Sequence, residues 1–494
     1  MGVDLTAQAR VVGIETNFLN LRGDNVFLLP QQVGLIGPGS TLATYALTPV
    51  QYTTAAAVGA AYGTGSPLHL AALQLLPSNG DGLGTVPLTV YPLDDADGTT
   101  AASGDITMTG TTQAVATSYV VDINGILSAP FTVDVGDSLT EIAAAMSTAI
   151  NGNTAMPVIA TPAVGVVTLV AKSLGTWGND IDVLVLGDVD ANITITVTNP
   201  TGGAGNQTVQ PALDQIVTKW ETMIVSCFEA DDITNANLYE IWGEGRWGEL
   251  VKKPAVVYNG SNESSTATLA AIGNARLTDR TNVLLPAPGS RSLPCQIAAR
   301  AVARDAVLAN NNPPRDYAGR QLSGLLVGVD SDQWNYAQRD FLIKAGISTT
   351  IVRDGVVTQS DTVTYYHPAG EDPPAFRYVV DIVKLQNVIF NLELIFNTDE
   401  WDGAPLIPDD QATTNKSARK PKDAIAASNT MIDGLALQAI LSNPAGAKPL
   451  TTATIGVSNP KRLDVSVTVQ LSGNANIISI DLNFGFFFGT AAIV

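Results

Sequence analysis

Histidine, cysteine and charge are scarce in this chain of 494 residues, and each scarcity removes a class of function. Two histidines, His69 and His367, cannot build a multi-histidine metal centre and leave little for a proton-transfer site. Two cysteines, Cys227 and Cys295, cannot make a disulfide framework and read as buried free thiols. Lysine and arginine number 26 against 46 acidic residues, a net charge of −20. A surface that neutralises phosphates needs the opposite balance, so direct nucleic-acid binding is not expected. Charged residues make up 15% of the chain, against roughly a quarter in ordinary soluble domains. The neutral surface left over, rich in Ala, Thr, Gly, Ser and Asn, suits burial against other copies of the chain. Long apolar runs are absent too. No stretch of about eighteen apolar residues occurs, so no spanning helix or membrane insertion is expected. The N-terminal MGVDLTAQARVVGIETNF lacks the charged and apolar regions of a signal peptide, which fits synthesis in a reducing compartment.

The length allows two to four domains, and the texture of the sequence changes along it. Residues 1–20 read as an extended N-terminal arm. Residues 21–87 mix short apolar runs with a small-residue helix near Thr53–Ala61 and read as the first part of an α/β core. Residues 88–200 carry β-branched runs separated by turn signals such as Asn124-Gly125. One helix interrupts them at Ser138–Ile150, opened by the capping-box pair Ser138 and Glu141. This stretch reads as an inserted, mostly β domain facing outward. From 201 to 367 helices alternate with continuous apolar strands, including a helical face through Leu213, Ile216, Val217 and Trp220. That pattern predicts a parallel sheet covered on both faces, the second part of the core. Residues 368–475 read as a C-terminal domain with an amphipathic helix near 424–442. The chain closes with alternating strands Leu463–Leu471 and Ile477–Phe488, joined by Ser472-Gly473-Asn474. Residues 476–494 form a C-terminal arm.

Motifs with catalytic associations are weak here. Gly243-Glu-Gly245-Arg-Trp-Gly248 has the letters of a dinucleotide fingerprint without the preceding strand, and reads as a glycine-rich turn. Ser417 and Lys420 match Ser-x-x-Lys with none of its partner motifs. His69 lies in an apolar helix start and His367 in a loop before Pro368, with no nucleophile elbow anywhere. Asp94, Asp95 and Asp97 resemble part of a calcium loop but lack its closing glutamate, and read as a solvated turn. No cofactor, metal or catalytic residue is expected, and the chain reads as no enzyme. One cluster stands out: Lys416, Arg419, Lys420 and Lys422 beside the acidic stretch Asp399–Asp410, a basic patch suited to an acidic protein partner. At the C-terminus, Ile478, Ile480, Leu482, Phe484, Phe486 and Phe488 alternate along one strand face. Left free, such a strand is an aggregation hazard, which strand addition to another copy removes. Val11, Val12 and Ile14 could be a second donor.

Arms at both ends, an inserted β domain, an α/β core and a closing domain together resemble the contractile phage tail sheath proteins of the Mu-like type. The segments carrying the likeness are Val33–Ser40 with Tyr52, Ala55–Tyr62, Val86–Asp97, Leu169–Leu186 with Gly175-Thr176-Trp177-Gly178-Asn179-Asp180, and the final strands. The resemblance implies an α+β multidomain fold whose α/β core has subtilisin-like topology without protease chemistry. It implies a structural subunit that polymerises as stacked hexameric rings around a tail tube and contracts to drive that tube through the host envelope. Expected partners are copies of itself, the inner tube protein, and baseplate and tail terminator proteins. The expected place is the phage tail in the virion, after assembly in the host cytoplasm. Residues 368–475 would be the inner domain, the basic patch would face the tube, and the two arms would exchange strands between subunits. Another self-assembling virion or secretion-machine protein, such as a tube or capsid subunit, is the alternative.

Overall fold

A computed structural model describes residues 26–482 except 189, 372 and 477. Six strands make the central sheet, in the order Asn282–Pro286, Val256–Ser261, Met223–Ser226, Val33–Pro38, Leu88–Leu93, Val50–Tyr52. The first five run parallel, and Val50–Tyr52 closes one edge antiparallel. Parallel strands are stable when both faces are covered, and the alternation of side chains shows how this is done. Val33, Leu35, Val90, Val225, Tyr258 and Leu285 pack with the helices Pro67–Leu75 and Pro294–Asn311. Ile36, Tyr91, Ile224 and Val257 face the other way, toward Leu213, Ile216 and Tyr239. Each fully enclosed aliphatic side chain contributes roughly 1.5–3 kcal/mol, so burial on both faces stabilises this sheet strongly. The parallel sheet read from the sequence is present.

Three local expectations need correction. The strand Leu88–Leu93 pairs in register with Val33–Pro38, so the chain leaves the core sheet after Leu93 and not at residue 88. The helix expected through Leu213–Trp220 stops at Leu213. Beyond it the backbone turns so that the carbonyls of Ile216, Val217 and Lys219 accept hydrogen bonds from the buried Arg246 guanidinium. Those bonds outweigh helical propensity and leave Val217 exposed. Gly243 and Gly245 are not in a turn; they belong to the helix Ile233–Arg246, where Gly243 admits the Thr281 side chain at close range.

Between Leu93 and Met223 the chain builds two further sheets, both four-stranded. One joins Val183–Leu186, Thr117–Ile123, Ile126–Leu127 and Phe131–Val133; the other joins Ile193–Thr201, Ser103–Gly110, Val166–Ala171 and Val158–Ala163. Asn124 and Gly125 both take positive φ, the geometry a two-residue hairpin needs, as the Asn-Gly pair predicts. The helix Leu139–Gly152 carries the expected reciprocal cap between Ser138 and Glu141.

The last third holds a hairpin, Thr349–Arg353 with Val356–Asp361, then two long helices, Val379–Phe396 and Pro421–Leu437. The expected closing hairpin about Ser472-Gly473-Asn474 is not what the described residues show. Leu463–Ser466 pairs with Thr452–Ile455, and Gln470–Leu471 pairs with Leu441–Ser442. Residues 478–482 lie in no strand.

Candidate functional site

The C-terminal domain gathers both ends of the described chain. Val26 and Leu28 pack with Val388, Met431, Ile432 and Leu435 in one apolar cluster that also takes Val467, Val469 and Leu471. Gly434 makes room for this approach, because a Cβ there would come within 2.5 Å of Val26. The backbone of the N-terminal segment is held by two buried asparagines of the 379–396 helix. Asn391 accepts from the Phe27 amide at 2.9 Å and donates to the Phe27 carbonyl at 2.8 Å. Asn387 accepts from the Leu29 amide at 2.8 Å. The C-terminal segment is held from the same helix. The fully buried Lys384 donates to Asp381 at 2.9 Å, to the Ser472 carbonyl at 2.6 Å and to Asn474 at 2.6 Å. Asn474 in turn donates to the Pro314 carbonyl at 2.8 Å, tying the segment to the core.

This grip holds residues 472–474, the expected turn of the closing hairpin, against the 379–396 helix; most of the expected second strand lies outside the described residues. Past residue 474, Ile478, Ile480 and Leu482 are 75%, 80% and 81% exposed. Their apolar alternation therefore finds no cover within the described subunit. Val11, Val12, Ile14, Phe484, Phe486 and Phe488 lie outside the described residues. The domain also leaves strand edges open, since its two sheets are two-stranded. Val26, Phe27, Leu394, Ile395, Trp401 and Met431 line a groove of about 560 Å³ beside the N-terminal segment.

The basic cluster is brought together but partly turned inward. Arg419 pairs with Glu400 at 3.3 Å, and the Lys420 ammonium donates to the Gln411 carbonyl. Lys416 and Lys422 are exposed and make no ion pair among the described residues. Of the four cations, Arg419 alone is paired with a carboxylate of the acidic stretch among the described residues, while Lys420 is held by main-chain carbonyls.

Elsewhere, several polar groups singled out in the sequence are engaged in hydrogen bonds within the subunit. His69 is buried and its Nδ1 accepts from the Gly65 amide at 3.0 Å, while burial and then Lys172 push its pKa down. His367 Nδ1 lies 2.6 Å from the Tyr365 carbonyl. Both cysteines are free and buried, as read from the sequence. Asp95 departs from the solvated turn expected of it: it is buried, accepts from the Leu174 amide at 3.0 Å, and burial pushes its pKa up to about 6. Among the described residues no group of three or more His, Cys, Asp or Glu is placed to hold a metal ion. No helix among them is long and apolar enough to cross a membrane.

The inserted sheets are latched to the core at the carboxyl ends of its strands. Arg291 pairs with Asp182 and, at 2.9 Å, with Asp122, while its carbonyl accepts from Asn124 at 2.7 Å. Asn262 donates to Asp180 at 3.0 Å. Glu229 lies beside Asp180, and burial followed by that neighbouring charge pushes its carboxyl well above the usual range.

The sequence reading missed Lys384, Asn387, Asn391 and Arg291. The first three did leave a signal: a lysine and two asparagines at helical spacing inside the apolar run VVDIVKLQNVIFNLELIF. Arg291 left none, because its partners lie far off in sequence.

No family model matches the chain. Among solved structures, the sheath tail protein of Listeria innocua overlays with a TM-score of 0.49 at 11% identity, over 90% of this chain and 93% of that one. One from Desulfitobacterium hafniense overlays with a TM-score of 0.48 at 12% identity, over 94% and 97% of the two chains. In sequence, 312 residues are 27% identical to the Mu-like prophage FluMu tail sheath protein of Haemophilus influenzae, covering 61% of this chain. The match spans 62% of the length of the Haemophilus protein. By that match the chain is similar in sequence to a Mu-like prophage tail sheath protein.

Proposed function

We propose that this chain is the structural subunit of a contractile phage tail sheath. It polymerises as stacked hexameric rings around a tail tube and contracts to drive the tube through the host envelope. The observation that carries this reading is the 27% identity over 312 residues to a tail sheath protein. The mostly parallel sheet then corresponds to the subtilisin-like core topology of that family. In this reading the subunit is not an enzyme, so the work of contraction is stored in the lattice and released as interfaces improve.

The C-terminal domain supports the mechanical part. Both described ends lie on it, and an uncovered apolar alternation follows at Ile478, Ile480 and Leu482. Residues 1–20 and 476–494 are read as arms that add strands to neighbouring subunits. Each added strand supplies several backbone hydrogen bonds, worth roughly 0.5–1.5 kcal/mol net apiece. Enclosing Phe484, Phe486 and Phe488 adds roughly 1.5–3 kcal/mol for each ring fully buried. Such links hold while larger and weaker interfaces exchange. Lys416 and Lys422 are read as facing an acidic tube surface, the inserted sheets as facing outward, and the ends of the sheath as meeting baseplate and terminator proteins. Residence in the virion tail, after assembly in the host cytoplasm, follows from the same reading.

Negative-stain microscopy of the purified chain is the test. Long, striated, hollow cylinders are expected; thin tubes, closed shells or persistent monomers would overturn the proposal.

A further inference from the structure

The side chains that grip both ends come from one face of one helix. Lys384, Asn387 and Asn391 stand at i, i+3 and i+7 of Val379–Phe396, so they share a narrow stripe. Seven residues are two turns, roughly 10 Å along the axis, which places Lys384 and Asn391 one above the other. The side chain of Lys384 has no solvent exposure. Its three donors meet three acceptors, of which only Asp381 belongs to its own helix. An ammonium is costly to bury, and an apolar side chain would fill such a position at lower cost. What the lysine adds is directional: two of its bonds fix Ser472 and Asn474, just before the exposed residues 478–482. Asn387 and Asn391 do the same for the opposite end by bonding main-chain groups of Phe27 and Leu29, whatever side chains those residues carry.

We propose that this stripe is a clasp that sets the direction in which the two ends leave the subunit. Lys384 is the positioning residue for the C-terminal end, and Asn387 and Asn391 are those for the N-terminal end. The proposal rests on the reading of the ends as inter-subunit links and deepens it. A link with a fixed origin reaches a neighbour at smaller entropic cost than one that swings freely.

The test uses the unassembled full-length subunit with spin labels at Ile478→Cys and Leu437→Cys, both exposed positions, while Cys227 and Cys295 are buried. A single narrow distance distribution is expected in the parent. It should broaden in Lys384→Met and in Asn474→Ala, and broaden less in Asn474→Asp, which keeps an acceptor for the ammonium but loses the donor to the Pro314 carbonyl. A control pair, Leu437→Cys with Val457→Cys, should not change in any of them. If Lys384→Met fails to fold, the comparison of Asn474→Ala with Asn474→Asp decides, because both lose the bond to the Pro314 carbonyl and only the aspartate keeps the acceptor for Lys384. An unchanged narrow distribution in a folded Lys384→Met or Asn474→Ala, or a parent already broad, would overturn the clasp. Because this measurement needs no assembly, its failure leaves the linking role of the ends standing. Cylinders built by a chain lacking residues 476–494 would remove the linking role while leaving the clasp geometry intact.

Discussion

The central sheet and the C-terminal domain manage their polar backbone in opposite ways. In the core, strands such as Val33–Pro38 and Val256–Ser261 pair on both sides and bury every or nearly every residue. In the C-terminal domain the sheets are two-stranded, and Leu437, Leu450, Ile478, Ile480 and Leu482 stand exposed. An open edge beside uncovered apolar side chains is a hazard for a solitary protein and an advantage for one that must join its neighbours. The contrast suggests a division of labour under the proposed reading: the core holds the subunit together, and the C-terminal domain, whose described residues leave apolar side chains uncovered, is completed by another copy.

Substitutions in the two regions should therefore separate stability from assembly. The largest stability loss is expected for Leu285→Ala, which removes a fully buried side chain from the sheet. A loss of about 2–5 kcal/mol should appear in denaturant unfolding, with normal cylinders wherever the protein is still folded. Arg291→Ala breaks the latch to the inserted sheets at Asp182 and Asp122. A loss of about 1.5–3 kcal/mol is expected, with faster hydrogen exchange in residues 94–207 and little change in the central sheet.

Next comes a pH effect confined to the core. Asp305 is buried, with Tyr258 at 2.9 Å and Gln359 at 3.0 Å, and burial pushes its pKa from 3.8 to about 7. The folded state keeps this proton to higher pH than the unfolded chain does. The corresponding stabilisation is thus complete below pH 3.8 and is lost as pH rises through about 7. The slope is at most about 1.4 kcal/mol per pH unit, and Asp305→Asn should flatten it in unfolding curves taken across that window. Smallest of all is the reversal Lys416→Glu with Lys422→Glu. Both are exposed, so stability should move by less than about 0.5 kcal/mol, and sheath self-association should persist. Only assembly templated on the tube should weaken, read as cylinder yield with and without tubes.

The two regions also differ in how far their sequences announce them. The core strands were legible because continuous apolar runs bracketed by helices have few other solutions, and the Asn124-Gly125 hairpin because both residues accept positive φ. The capped helix after Ser138 was legible for the same local reason. What stayed hidden depended on partners distant in sequence. The segment after Leu213 reads as helix until Arg246 arrives to take its carbonyls. Leu463–Ser466 reads as half of a closing hairpin, yet it pairs with Thr452–Ile455, and Lys384 holds Ser472 and Asn474. Leu88–Leu93 belongs to the core only because Val33–Pro38 lies beside it. Of the expected linking residues, Ile478, Ile480 and Leu482 are exposed, while Val11, Val12, Ile14 and the aromatic positions lie outside the described residues.

The most direct test of the division of labour is deletion of residues 476–494, followed by thermal unfolding and electron microscopy of the same sample. The account predicts a folded subunit with an unfolding midpoint close to that of the full chain, and no cylinders at any concentration. Regular cylinders from the shortened chain would contradict it.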